Sequence, residues 1–518
     1  MTKKTASATS HDESHGTDES MRLSHTPIRP ITSRLHSRPG WRGVAFFVVL
    51  LLIVIGCLAR LLIGSGNWGT LFWITLGYLV YELSLNCYLT AGAYWAVPRV
   101  LRRRQLRPKF TEAGPALTVV IAAHNEESAI VATIEKLLAQ TGVEFDLIVV
   151  SNGSCDQTVA VVCETFQLAP NAGSDDLTEL DLEGGVWQGS ASHRAITLRQ
   201  QEKKGKAAAL NWAIQRARNP VVVTLDADTH LRPGALQVLS KAFANPETKA
   251  AGGFLYVRDA DKAGWLVRFQ FVEYLKAFMW RLGFAEANVC LQVSGAFAGF
   301  RRDTLLELGL FDEASLVEDY EIIFRLHAHY REHGIPYHVG VVEEAIADTE
   351  VPYQITQFVR QRTRWFCGFL QTLWAYRGMV WQERYGLLGL LMLPIKCVDA
   401  TLPLWGITAL SIFLLVLISG HETFEVLALQ MFCVKYVLEF GLTWAVVRLE
   451  QAVAVRPATE SVRPWQILCL FLDGITFNWF RQFAVAQAYL DFFRRARRWD
   501  PSVRRTVPEE ASSVISAR

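Results

Sequence analysis

Two aspartates close a run of β-branched residues in Val221-Val222-Val223-Thr224-Leu225-Asp226-Ala227-Asp228. A continuous apolar run of this kind reads as a buried parallel strand. Residues i and i+2 of a strand share a face, so Asp226 and Asp228 converge where the strand ends. In open α/β sheets, ligands sit outside the carboxyl ends of the strands. Two hard oxygen donors there suit Mg²⁺ or Mn²⁺ shared with substrate phosphates. The spacing alone is equally compatible with a pair of solvated loop aspartates.

Five further stretches carry chemistry. Ala122-Ala123-His124-Asn125-Glu126-Glu127 lies between a strand and its helix, where a nucleotide is commonly held; Asn125 can also cap that helix. Ser151-Asn152-Gly153-Ser154 follows the next strand, with Ser154 a candidate N-cap. Gly205-Lys206 opens a helix, so backbone N–H groups and an ammonium can meet a phosphate, although a solvated basic helix start looks the same. Glu318-Asp319 precedes an apolar helix and offers either capping or a general base for an acceptor hydroxyl. Gln361, Arg364 and Trp365 stand at i, i+3 and i+4 in a helix expected over Tyr353 to Tyr376 and share a face. Arginine gives a fixed fork for phosphate and tryptophan a flat apolar surface; an amphipathic helix on a membrane surface is the alternative.

In this order, the stretches resemble the processive branch of glycosyltransferase family 2. That group includes bacterial poly-N-acetylglucosamine, hyaluronan, chitin and cellulose synthases. The resemblance covers about residues 115–380 and rests on Asp226-Ala-Asp228, Glu318-Asp319 and Gln361-x-x-Arg364-Trp365. It is joined by Gly205-Lys206 with Ala209-Leu210-Asn211, and by Ser294-Gly295 through Phe300-Arg301. It implies an α/β, GT-A (Rossmann-like) catalytic domain using a nucleotide-sugar donor, a UDP-sugar in most such enzymes. Asn125, Glu126 and Asn152 would line the nucleoside pocket, with Lys206 and Asp226 beside the nucleotide. Asp228 would hold the Mg²⁺ or Mn²⁺ and Asp319 would be the base. Glu318, Gln361, Arg364 and Trp365 would hold the diphosphate and the acceptor sugar, and the Gly295 to Gly299 turn would shape the acceptor site. The family usually has Asp-Asp-Gly where this chain has Ser151-Asn152-Gly153. The Asn152 carbonyl can still accept a hydrogen bond from the base, but without charge.

The chain that positions these residues has 518 residues, 51% hydrophobic and 20% charged, which leans towards a membrane protein. A net charge of +2 leaves no basic excess for nucleic acid as the main partner. The nine cysteines form no C-x-x-C pair and read as reduced residues. Residues 1–40 read as a disordered polar arm, and residues 41–98 as two transmembrane helices, Trp41 to Ile63 and Leu71 to Val97. The Gly64-x-Gly66-x-x-Gly69 turn between them lacks a preceding strand and is discounted as a dinucleotide site. Strand–helix alternation over 115–383 predicts a mostly parallel sheet. Residues 170–192 read as a loop. Residues 384–493 carry spans at Leu402 to Ile418 and Val426 to Val447, with interfacial helices, and 494–518 form a basic tail. Arginines after the second span and in the tail place the catalytic domain in the cytoplasm of a protein of the plasma (inner) membrane.

The expected enzyme is an inverting hexosyl- or N-acetylhexosaminyltransferase building a β-linked polysaccharide, with accessory export proteins as possible partners. Non-processive transfer to a lipid-linked acceptor and a catalytically silent membrane scaffold are the alternatives. Lys435 and Glu439, at i and i+4 in an apolar span, line a glycan route or form a buried ion pair that fixes helix register.

Overall fold

The computed structural model describes residues 68–106, 114–170, 185–418, 422–453 and 463–494. The polar arm, the span at Trp41 to Ile63 and nearly all of the basic tail lie outside the described residues.

In chain order, a long helix α1 (Trp68–Leu106) precedes strand β1 (Leu117–Ala123), α2 (Ile130–Leu138), β2 (Phe145–Asn152) and α3 (Thr158–Phe166). Next come β3 (Ala169–Pro170), β4 (Val186–Ala191), β5 (Arg194–Gln201), α4 (Lys206–Arg216), β6 (Val221–Asp226), β7 (His230–Leu231), α5 (Ala235–Ala242) and β8 (Thr248–Val257). The domain closes with α6 (Trp265–Glu286), β9 (Phe297–Arg301), α7 (Arg302–Glu307), α8 (Glu318–Glu332), β10 (His338–Thr349) and α9 (Ile355–Ala375).

Ten strands form one sheet in the order β3-β4-β5-β2-β1-β6-β9-β8-β10-β7. Parallel pairing joins β5, β2, β1 and β6, the strands that read as continuous apolar runs. Outside that block the sheet is mixed, not mostly parallel as expected, because β9 runs back between β6 and β8. The expected loop at 170–192 contains β4, which pairs with β5 through a tight turn at Ser192-His193, both at positive φ. Alternate side chains serve opposite faces. Val119, Ile121 and Val223 pack with Ile134 of α2 and Leu239 of α5, while Val120 and Val222 pack with Leu210 of α4 and Ile323 of α8. From β1 the chain adds β2 and then β5 on one side, and returns to place β6 on the other. Such a reversal opens a crevice at the carboxyl ends of the two central strands. There Ala122 is paired with Asp226.

The remaining helices are α10 (Leu393–Asp399), α11 (Leu402–Leu417), α12 (Glu422–Val453), α13 (Pro464–Asp473) and α14 (Phe477–Arg494). Among the described residues, α12 alone is long and apolar enough to cross a membrane; α11 qualifies only when joined to the preceding helix Leu388–Asp399 across a 45° bend. The expected span Leu71 to Val97 lies inside α1, which does not meet that test. Outward-facing apolar side chains recur on this bundle, including Leu414, Val434, Val437, Phe471 and Phe483. Lys435 bridges Glu439 at 2.7 Å and, from α1, Glu82 at 3.3 Å. None of the three lines the large cavity described below, so the contact joins α1 to α12.

Helix α8, which presents Glu318 and Asp319 at its first turn, is anchored by Arg325. The Arg325 and Glu321 side chains, 2% and 0% exposed, form a two-pronged ion pair. Arg325 also donates to the carbonyls of Leu308 and Leu310, each at 2.7 Å, and the Tyr376 hydroxyl donates to Glu321 at 2.8 Å. Removing one partner of a buried pair strands the other charge. Arg325→Met is therefore expected to cost about 3–5 kcal/mol of stability. Thermal unfolding of the purified chain checks this, and an unchanged melting temperature would refute the anchoring role.

Candidate active site

A cavity of about 1000 Å³ opens at the carboxyl ends of β1, β2 and β6. It is large enough for a nucleotide and a second ligand. Glu126, Asn152, Lys206, Asp226, Asp228, Glu318, Asp319, Gln361, Arg364 and Trp365 all line it. Asn125 does not. It sits at φ 58°, donates its N–H to Ser154 Oγ at 3.1 Å and accepts the Cys155 N–H on Oδ1 at 2.8 Å. It therefore ties the turn after β1 to the turn after β2. Nor does it cap a helix, since α2 opens only at Ile130.

Asp226 ends β6, and its N–H reaches the Ala296 carbonyl at 3.1 Å. Lys206, in the first turn of α4, places Nζ 2.6 Å from Asp226 and 3.4 Å from Glu318. Gly205, at φ 104°, supplies the left-handed turn into α4. Burial alone would lower the Lys206 pKa, but Asp226 and then Glu318 outweigh it and hold the ammonium above the ordinary lysine value. Burial raises Asp226, with Lys206 opposing. Asp228 follows in a turn whose Ala227 carbonyl accepts from Thr133 Oγ1 of α2 at 2.7 Å. Its carboxylate accepts long hydrogen bonds from the hydroxyls of Thr229 and Thr349, at 3.3 and 3.4 Å.

Asp319 accepts the Gly295 N–H at 2.9 Å. Its carboxyl is raised by burial and by neighbouring Glu318, against the Gly295 hydrogen bond, Lys206 and Arg364. A Cβ on Gly295 would stand 3.1 Å from Asp319 Cβ, so glycine permits this approach. The expected Gly295 to Gly299 turn is shorter than anticipated: β9 starts at Phe297, and Gly299 lies within it, against Phe243.

Helix α9 lines the same cavity through Gln361, Arg364 and Trp365. Arg364 donates to the Leu316 carbonyl at 3.0 Å, tying α9 to the loop before α8. Two further arginines line the cavity, neither given a site role by the sequence reading. Arg362 stacks against the rings of Phe358 and Trp365, at 4.8 and 4.4 Å, and pairs with Glu273 of α6 at 2.5 Å. Arg481 of α14 approaches the same Glu273 at 3.5 Å, and Thr363 Oγ1 donates to the Ala484 carbonyl of α14 at 2.9 Å.

Asn152 departs from expectation. Its Oδ1 already accepts the N–H groups of Lys204 (2.9 Å) and Gly205 (3.2 Å) and the Gln201 amide (3.2 Å). The side-chain carbonyl is committed to bracing the loop that delivers Lys206. It is not left for a base.

No cluster of three or more His, Cys, Asp or Glu side chains able to hold a metal occurs among the described residues. One or two carboxylates are the donor set for a cation that completes its shell with substrate oxygens and water. Asp228 fits that requirement more readily than Asp226, which Lys206 engages.

Sequence comparison bears on what this cavity belongs to. The profile for "Glycosyl transferase family 2" matches residues 118–309, and that for "Glycosyl transferase family group 2" matches 221–430. The chain belongs to glycosyltransferase family 2. Its ten-stranded mixed sheet carries helices on both faces. Among curated relatives, the chain is 24% identical over 306 residues to the poly-beta-1,6-N-acetyl-D-glucosamine synthase of Staphylococcus epidermidis, covering 57% of this chain and 66% of that protein. It is 25% identical over 295 residues to the synthase of the same name from Staphylococcus aureus, covering 56% and 64%. The chain thus spans just under two thirds of the length of these relatives. The solved mannosyltransferase PcManGT from Pyrobaculum calidifontis, in complex with GDP-Man and Mn²⁺, aligns at 20% identity with a TM-score of 0.44, over 71% of this chain and 98% of its own.

For this glycosyltransferase, Gly295→Ala is expected to displace the Asp319 carboxylate while leaving the fold intact. Loss of a hydrogen bond to a charged group is worth about 1.5–3 kcal/mol, roughly a 10- to 100-fold fall in turnover. Sugar-transfer rates and a parallel thermal melt test this, and undiminished turnover would show that the close approach is dispensable.

Proposed function

We propose that the protein is an inverting, membrane-anchored glycosyltransferase. It moves a hexosyl or N-acetylhexosaminyl group from a UDP-sugar to a glycan acceptor and extends a β-linked polysaccharide. The observation that carries this reading is the meeting of Asp226, Asp228, Glu318 and Asp319 with Lys206 and the Gln361–Trp365 face in one cavity. The curated relatives, named as polysaccharide synthases, support it further. Outward apolar side chains on α11 to α14 support a membrane setting for the C-terminal helices.

In this reading, Asp319 takes the proton from the acceptor hydroxyl as its oxygen attacks the anomeric carbon. The bond from that carbon to the diphosphate oxygen breaks, and the configuration inverts because no enzyme nucleophile intervenes. Gly295 aims the base through its N–H. Lys206 and Arg364 supply positive charge to the leaving diphosphate. A bound Mg²⁺ or Mn²⁺ on Asp228 would add charge neutralisation at the same oxygens. Trp365, its ring held by Arg362, gives the acceptor sugar an apolar platform.

Transfer therefore requires ionised Asp319, whose carboxyl lies above the ordinary carboxylate range. Activity should fall as pH drops through that raised value, so the acid limb of kcat/KM should lie at a higher pH than an ordinary aspartate would give. Asp319→Asn should lower turnover about 10²–10⁴-fold with UDP affinity nearly unchanged. Incubating the purified chain with labelled UDP-sugars, with and without EDTA, and sizing the product tests the assignment. Near-normal turnover in Asp319→Asn, or no consumption of any UDP-sugar, would overturn it.

A further inference from the structure

Helix α6 runs along the cavity. Tyr274, Ala277, Arg281 and Phe284 recur at i, i+3, i+7 and i+10, share one face of the helix and all line the space. At the helical rise, that stripe is about 15 Å long. One end lies towards Asp228. Burial pushes the Tyr274 phenol up to about 12, with Arg362 opposing and Glu273 and Asp228 adding to the rise. The other end lies at the helical bundle, where Lys396 Nζ of α10 stands 5.9 Å from the centre of the Phe284 ring. Lys396 is itself paired with Asp399 at 2.8 Å. Arg281 comes between, two turns beyond Tyr274 and one before Phe284, within the field of Asp319. Passing along the stripe from the Asp228 end, it is the residue met at the base.

Arg281 brings charge into this wall without a carboxylate of its own. Its guanidinium packs on the Phe278 ring, 4.7 Å from the centre, and donates to Gln292 Oε1 at 2.8 Å. Among the described residues no carboxylate forms an ion pair with it. Burial holds it below the ordinary arginine value, with Cys290 and then Asp319 opposing. At Lys206 the same burial is outweighed by Asp226 and Glu318, and the shift is upward. A guanidinium has five N–H donors in a fixed fork and stays charged. Uncompensated charge costs more as a ligand expels water, so this point of the wall favours a ligand oxygen.

We propose that Arg281 grips the terminal sugar of the acceptor by donating hydrogen bonds to its oxygens, and that its charge turns away an acceptor carrying a free amine there. The inference rests on the reading of this cavity as a sugar-transfer site. Hydroxyl, N-acyl carbonyl and carboxylate oxygens all accept from a guanidinium. An ammonium has no lone pair to offer and brings a like charge. Lys206 and Arg364 serve the diphosphate, so losing Arg281 falls on the acceptor and not on the donor.

The test uses the full chain in detergent with Mn²⁺ and the labelled UDP-sugar that it consumes, beginning with UDP-N-acetylglucosamine, since the curated relatives bear that sugar in their names. Consumed label is divided into glycan and free sugar. Arg281→Met keeps the side-chain length and the Phe278 contact but removes the charge and the fork. It should shift the division about 10-fold towards free sugar, the worth of a hydrogen bond to a charged group, because water attacks without a guanidinium to hold it. The donor KM should stay unchanged. In the wild-type chain, N-acetylated glucosamine oligosaccharides should compete for elongation about 10-fold better than de-N-acetylated ones. Arg281→Met should lose that preference. Arg281→Lys restores the charge without the fork, so it should regain the preference but only part of the elongation. The inference is overturned if the division does not move, if the donor KM rises in step with the loss of transfer, or if the preference persists in Arg281→Met. It is also overturned if the two kinds of oligosaccharide compete alike in the wild-type chain, a comparison that decides even where the variants melt early. A wild-type chain that consumes no UDP-sugar would overturn the sugar-transfer reading itself, a distinct result.

Discussion

The site is organised by an electrostatic constraint. Asp226, Asp228, Glu318 and Asp319 come from two distant segments and meet in one cavity. Like charges brought together out of bulk water repel, and burial removes the solvent that would screen them. Lys206 relieves this by standing between the segments, 2.6 Å from Asp226 and 3.4 Å from Glu318. Its position depends in turn on the loop that Asn152 braces and on the left-handed turn at Gly205. Substitutions in that loop thus reach the carboxylates without touching them. A diphosphate entering the cavity would compete with Asp226 for the same ammonium, which links substrate binding to the ionic balance of the site.

Much of this was legible in the sequence where a single physical rule dominates. The Val221–Leu225 run gave a buried strand because its side chains are apolar save for the β-branched Thr224, whose hydroxyl meets the Ala298 carbonyl, and strand alternation put Asp226 and Asp228 at its end. The i, i+3, i+4 spacing of Gln361, Arg364 and Trp365 gave a shared face, and all three line the cavity. What the sequence hid is long-range pairing. Nothing local shows that β9 would return antiparallel beside β6, or that Glu273 would hold Arg362. Asn125 lies off the cavity, and Asn152, which lines it, has its side-chain oxygen already engaged. Each amide oxygen is taken by a backbone N–H from a turn distant in sequence, a contact that neither the capping reading of Asn125 nor the base-accepting reading of Asn152 contained.

The helical region obeys a different accounting. Apolar side chains point outward along it, and several of its buried charges are paired, as with Lys435 between Glu82 and Glu439. Lys276 and Asp473, 2.6 Å apart, repeat the pattern between α6 and α13. Truncating one member of such a pair would strand its partner in an apolar surround. The Lys276–Asp473 bridge therefore binds α13 to α6, and the Lys435 cluster binds α12 to α1, more specifically than apolar packing alone.

The double tether between α9 and α14 has a mechanical consequence. Thr363 is fastened to the Ala484 carbonyl, and Glu273 grips Arg362 and Arg481 together. An axial slip or roll of α14 must therefore drag the Trp365 wall with it, and the width of the cleft follows the pose of a helix that itself lends Arg481, Val485, Gln487 and Asp491 to the lining.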